Sequence, residues 1–226
     1  MSRYSQIAEY GDLERHRQVE QDLCDAAKQR TIMKQRFINH IESIQDTALR
    51  ACCREIQNVP AFFTHPAALK HHHAYEGGLL AHTVEVCDYA RHIAECMGGQ
   101  EDTDILIAAC LWHDFMKVRE YEITAMGREI LEDEGSLRGT AKCLWTHTNY
   151  GKLIHNIPGS AIEFTVAARK HGVTEDVIEQ VQHCILAHHG RKEWGSPVEP
   201  QTIEALILHQ ADMLSAKFGA TKDKAP

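Results

Sequence analysis

Seven histidines and aspartates stand along this chain at separations that can build a divalent-metal site. His113 and Asp114 are adjacent, in Trp112-His113-Asp114-Phe115. His82 precedes them; His155, the neighbours His188 and His189, and Asp212 follow at intervals of one or two helices. Imidazoles and carboxylates from several helices can converge on one point, and an aspartate with two oxygens can bridge two ions. Singly, each residue has a plainer reading. His82, inside an apolar helical stretch, is as readily a core histidine bonded to a carbonyl as a ligand. His188 and His189 at a helix end would suit the helix dipole. Asp114 is harder to explain without a cation. It ends an apolar run, where a carboxylate is costly unless paired or coordinated, and it opposes the dipole of its own helix. Asp212, among Ala211, Met213 and Leu214, needs a partner for the same reason. Lys117, three residues after Asp114, can reach a phosphate or simply pair with that aspartate.

The order His82, His113-Asp114, Asp212 resembles the signature of the HD superfamily of metal-dependent phosphohydrolases. With His155 in His-Asn-Ile-Pro-Gly159 and the His188-His189 pair it resembles the expanded signature of binuclear members, including the HD-GYP phosphodiesterases. The GYP segment itself is missing. The usual H-D-x-G-K is His113-Asp114-Phe115-Met116-Lys117 here, so the glycine is lost and the lysine kept. Gly78 stands where some trinuclear members place a glutamate, which counts against a third ion. Residues 71–219 resemble more closely the HD domain of bacterial 3′–5′ exoribonucleases, through His72-His73-Ala-Tyr75-Glu-Gly77-Gly78-Leu-Leu-Ala-His82-Thr83, Ile185-Leu-Ala-His188-His189-Gly190 and Glu204 to Lys217. The Gly-Gly-Leu-Leu-x-His stretch is also similar to an HD-like region of some conjugative relaxase-associated proteins. Those exoribonucleases join an OB-type nucleic-acid module to the HD domain. Residues 1–60 read as helical, so no such module is expected here, and the RNA substrate does not follow.

The resemblance implies an all-α HD-domain helical bundle with a binuclear centre that hydrolyses a phosphoester. His82, His113, Asp114 and Asp212 would hold one ion. Asp114 would bridge to a second held by His155 and His188, with His189 in or beside the shell. Asp114, Lys117 and His189 are the expected catalytic residues, Lys117 neutralising a phosphoryl oxygen. His72 and His73 are expected to bind the phosphate or protonate the leaving oxygen; the alternative is a plain surface run. Histidine and oxygen ligands favour Mn, Fe, Co, Ni or Zn without choosing among them. The substrate class is a nucleotide or short oligonucleotide. The alternative is a regulatory HD protein that binds a nucleotide without turning it over, but no core ligand is missing.

Composition agrees with this class. The net charge is −8, and residues 1–60 carry nine basic and nine acidic side chains, so the imbalance falls on residues 61–226. A strongly basic nucleic-acid footprint is absent, which disfavours long duplexes and leaves a short single strand or a small phosphorylated molecule. Eight cysteines contain no C-x-x-C and fall mostly in apolar helical stretches, which points to a reducing compartment and no structural zinc. The first 20 residues are polar and charged, so no signal peptide is expected and the location is cytoplasmic. The longest apolar run, Ile105 to Trp112, is too short to span a membrane.

The elements that must carry these residues are helical. Ile32, Met33, Phe37, Ile41, Ile44, Ala48 and Leu49 make one apolar face in a helical segment over 1–57. Leu79–Met97 and Thr103 to about Val118 read as helices, the second nearly all apolar before His113 and hence central. Residues 119–158 are mixed, with room for short helices, loops and a small hairpin. Ser160–His171 is helical; Thr174 caps a helix running to His189, with Gly190 as its stop. Pro200 suits the first turn of a last helix ending near Phe218-Gly219. The expected organisation is a helical N-terminal extension over 1–58, an HD domain over 59–219 and a frayed tail over 220–226. The amphipathic extension can cover the domain or build a homodimer.

Overall fold

A computed structural model describes residues 28–70, 73–134 and 144–222 of the chain. The chain divides into two compact units, Met1–Arg36 and Phe37–Pro226, and every candidate site residue lies in the second. Helix α1 covers 28–43. It stops where residues 44–46 leave helical geometry, so the continuous helix expected to residue 57 is broken. Carboxylates cause the break. Asp46 caps α2 (Thr47–Arg54) by accepting from the Leu49 amide, and Asp104 accepts from the amides of Gln45 and Asp46 at 2.9 and 2.7 Å. Of the expected apolar face, Phe37, Ile41, Ile44 and Leu49 are buried, Met33 and Ala48 are partly covered, and Ile32 is exposed.

Two 3-10 turns, Glu55–Asn58 and Pro60–Phe63, lead to α3 (Gly78–Cys96), α4 (Thr103–Trp112) and the short α5 (Lys117–Glu120). Strand β1 (Tyr121–Ile123), α6 (Ala125–Glu134), β2 (Trp145–His147) and α7 (Asn149–Leu153) follow, then α8 (Asn156–Lys170), α9 (Glu175–Ala187) and α10 (Ile203–Lys222). The fold is all-α in class, with one two-stranded ribbon among the described residues. β1 and β2 pair antiparallel, with Tyr121 opposite His147 and Ile123 opposite Trp145. Strands of three residues are too short for period-two alternation to register.

α4 is the central element. Every residue from Ile105 to Trp112 is buried, with α3, α9 and α10 packed around the helix. That burial is why its run is apolar on all sides. Trp112 packs edge-on against Phe115 and Phe164, with centroids 4.6 and 5.8 Å away. α3 lies along α10, the pairing that brings His82 to Asp212. α8 begins at Asn156, earlier than Ser160, because Pro158 falls in a first turn where its missing N–H costs nothing. α10 begins at Ile203 rather than Pro200, and Thr202 Oγ1 accepts from the Ala205 amide. It continues past Gly219 to Lys222.

Candidate metal centre

Four elements end or pass at one buried point. α4 delivers His113 as its C-cap, with Asp114 in the turn that follows. α9 delivers His188 as its C-cap, with His189 next. α3 and α10 pass with His82 and Asp212 on their facing sides. His113 and His188 are held alike. Their Nδ1 atoms donate to carbonyls three residues back, Cys110 at 2.8 Å and Ile185 at 2.7 Å. These carbonyls are among those a helix end leaves without amide partners. His189 Nδ1 donates to the Trp194 carbonyl at 2.7 Å. A carbonyl only accepts, so each Nδ1 carries a proton, and in the neutral ring the lone pair is on Nε2.

The Nε2 atoms converge. His113 Nε2 lies 3.2 Å from His82 Nε2. His82 Nε2 is 3.4 Å from Asp114 Oδ2 and 3.2 Å from Asp212 Oδ1. His113 Nε2 is 3.4 Å from Asp114 Oδ2 and 3.9 Å from Asp212 Oδ1. The other Asp114 oxygen, Oδ1, faces His188 Nε2 at 3.8 Å. Donor atoms thus gather in overlapping sets: His82, His113 and Asp212; His113, Asp114 and His188; His188, His189 and Asp212. His188 Nε2 is buried and has no hydrogen-bond partner. A buried lone pair among carboxylates and other imidazoles calls for a cation. The donors therefore fit a divalent transition metal, and the two differently directed oxygens of Asp114 suit a bridge.

A family model described as the HD domain matches residues 79–217. The chain belongs to the HD-domain family. Its relatives include the 3′-5′ exoribonuclease YhaM of a Geobacillus species, 31% identical over 94% of this chain and 59% of the relative. The YhaM of Bacillus subtilis is 35% identical over 70% of this chain and 44% of the relative. The chain thus spans about half the length of the curated relatives it matches. A second model, described as a putative helicase, matches residues 13–98. No solved structure matches the chain significantly.

The HD domain brings His82, His113, Asp114, His188, His189 and Asp212 together, and leaves His155 out. His155 is exposed at the N-cap of α8, with φ at +66°. Its neighbour Asn156 turns inward instead and donates from Nδ2 to Asp114 Oδ1 at 2.5 Å. Lys117 Nζ pairs with Asp114 Oδ2 at 2.6 Å, beside the cluster. His73 stands behind His82 with its ring buried, between Tyr75 and Glu85. His72 lies outside the described residues. The glycine at 78 has a steric cause, because a Cβ there would sit 2.0 Å from the His73 carbonyl oxygen. The same close approach bars a glutamate at that position.

Sequence reasoning missed Asn156, Ser215, Glu85 and Glu120. Glu85 had a detectable signal, since it lies one helical turn from His82 in the same helix. Glu120, in the mixed stretch, had none. It is buried, its Oε2 lacks a partner, and burial pushes its carboxyl up to about 7 despite nearby Lys117. Burial opposes charge on His82, yet its bonds to Asp114 and Asp212 win and push it up to about 9. Burial drives His188 down to about 3, with His189 and His113 adding to the effect. Asp114 is held well below the usual carboxylate range; burial opposes this, but Lys117 and His113 outweigh it.

Proposed function

We propose that this HD domain is a metal-dependent phosphodiesterase acting on a nucleotide or short oligonucleotide through a binuclear centre. The observation that carries the reading is the convergence of tethered imidazoles around an Asp114 whose two oxygens face different histidines. His82, His113, Asp114 and Asp212 would hold one ion, and Asp114, His188 and His189 a second. When bound, such a pair polarises a phosphoryl oxygen and acidifies water. Mn, Fe, Co, Ni and Zn all suit the donors.

The chain's own side chains account for the rest. Carbonyl tethers on His113, His188 and His189 hold their Nε2 lone pairs in place before anything binds. Lys117 keeps a cation at the edge of the cluster, where a non-bridging phosphate oxygen would lie. His189 is the partly exposed histidine of the four, so it can exchange a proton at Nε2. The relatives' name supports a phosphodiester substrate, and the negative charge over residues 61–226 favours a short one.

Elemental analysis followed by a hydrolysis screen tests this. Purified protein should carry about two ions per chain, the count of a two-metal site. It should cleave bis(p-nitrophenyl) phosphate, dinucleotides or short RNA. Turnover of a long single strand at the same rate as a short one would contradict the size preference. Absence of metal would contradict the centre itself.

A further inference from the structure

His82 is tethered differently from the other histidines of the cluster. His113 and His188 end helices and use carbonyls that the helix leaves open. His82 lies inside α3, where carbonyls are occupied by the helix ladder. Its Nδ1 instead meets a side chain from another helix, Ser215 Oγ of α10, at 2.9 Å. Ser215 Oγ is also 2.9 Å from Glu85 Oε2. A carboxylate only accepts, so the hydroxyl proton points to Glu85 and the hydroxyl oxygen is left to accept from His82. Glu85 Oε2 also accepts from His73 Nε2 at 2.9 Å, and His73 Nδ1 accepts from the Tyr75 hydroxyl at 3.0 Å.

The spacing ties these groups to the candidate ligands. Glu85 follows His82 by three residues, and Ser215 follows Asp212 by three. Each support therefore lies one helical turn from a ligand on the same helix face. The α3–α10 packing that joins His82 to Asp212 also joins Glu85 to Ser215. Ser215 is buried, and Glu85 is partly covered.

We propose that Glu85, acting through Ser215, positions the His82 ring and fixes its tautomer so that Nε2 is the atom offered to metal. Glu85 and Ser215 are positioning residues and touch neither metal nor substrate. His73 belongs to the same chain of hydrogen bonds, as the group that orients the Glu85 carboxylate. This assignment rests on the proposed metal centre.

The test is metal affinity of the full chain, measured by calorimetry with Mn(II) or Zn(II), with melting temperature of the chelated protein alongside. Glu85→Gln keeps the shape and removes the charge; Ser215→Ala removes the hydroxyl. Each should weaken metal binding by about ten- to a hundredfold, as loss of an outer hydrogen-bond partner does. Ser215→Thr, which keeps the hydroxyl, should bind metal within about threefold of wild type, well short of that loss. Wild-type affinity in both Glu85→Gln and Ser215→Ala would overturn the relay while leaving the metal centre standing. So would a lowered melting temperature with affinity unchanged, since that is a packing effect only. A wild-type chain that takes up neither metal overturns the centre and the relay with it.

Discussion

Lys117→Met separates two roles of one ammonium group. Lys117 Nζ lies 2.6 Å from Asp114 Oδ2, and the two side chains are only 15% and 3% exposed. Methionine preserves most of the stem and deletes the charge. In chelated protein Asp114 then keeps its charge in a dry interior with one cation fewer. Breaking such a buried pair costs about 3 kcal/mol, the lower end for a lysine that retains some solvent. For a domain of this size that corresponds to roughly 6–12 °C in melting temperature. A divalent ion supplies Asp114 with another cation, so the deficit should shrink when Mn(II) is added. Catalysis should respond separately. If the ammonium neutralises a phosphate oxygen, kcat and kcat/KM on bis(p-nitrophenyl) phosphate should fall together by about ten- to a thousandfold. Thermal melts with EDTA and with Mn(II), and kinetics at measured metal content, read all of this from one variant. An unchanged melting temperature in EDTA would refute the ion-pair reasoning. Unchanged kcat in the fully metallated variant would end the catalytic assignment.

Three further outcomes are expected. Glu120 is buried and its carboxyl is raised from 4.5 to about 7. The folded state then holds a proton that the unfolded state releases, so stability falls as pH rises from about 4.5 to 7. Glu120→Gln should flatten that slope and raise the melting temperature at pH 8 more than at pH 5; parallel melting curves would show that Glu120 does not titrate this way. Gly78→Ala places a Cβ 2.0 Å from the His73 carbonyl oxygen. It should cost about 1–3 kcal/mol, as overpacking does, and a melting temperature equal to wild type would mean the turn has room to move. His155→Ala should leave metal content unchanged while His188→Ala lowers it, because His155 is exposed and His188 buried in the cluster; equal metal loss in both variants would return His155 to the shell.

Much of the molecule was legible in the residues themselves. The unbroken apolarity of Ile105–Trp112 could come only from a helix buried on all sides, and α4 is that helix. Asp114 at its end, costly by burial and by dipole, pointed to a metal or to pairing with Lys117, and the structure sets Lys117 and the imidazoles of His82 and His113 beside it. His188 and His189 before Gly190 marked a helix terminus, and Gly190 ends it with φ at +81°. These inferences hold because burial cost, dipole direction and glycine geometry act locally, on the few residues that carry them.

Other features were decided by tertiary structure. Spacing ranked His155 with the ligands, but whether a side chain at a helix start turns inward depends on the backbone dihedral there. At φ +66° His155 faces out, and Asn156 takes the inward place. His73 looked like part of an open histidine run; its position between Tyr75, Glu85 and Ser215 depends on where α3 and α10 cross. The break at residues 44–46 was hidden because one of its causes, Asp104, is 58 or more residues away in sequence. The residues by themselves determined which groups could bind a cation and which helices would be buried. The helix ends also set locally which nitrogen His113 and His188 offer, through carbonyls three residues back. The partner of His82 Nδ1, Ser215, comes within reach only through the packing of α3 against α10, and that packing with the approach of α4 to α9 decided which side chains meet.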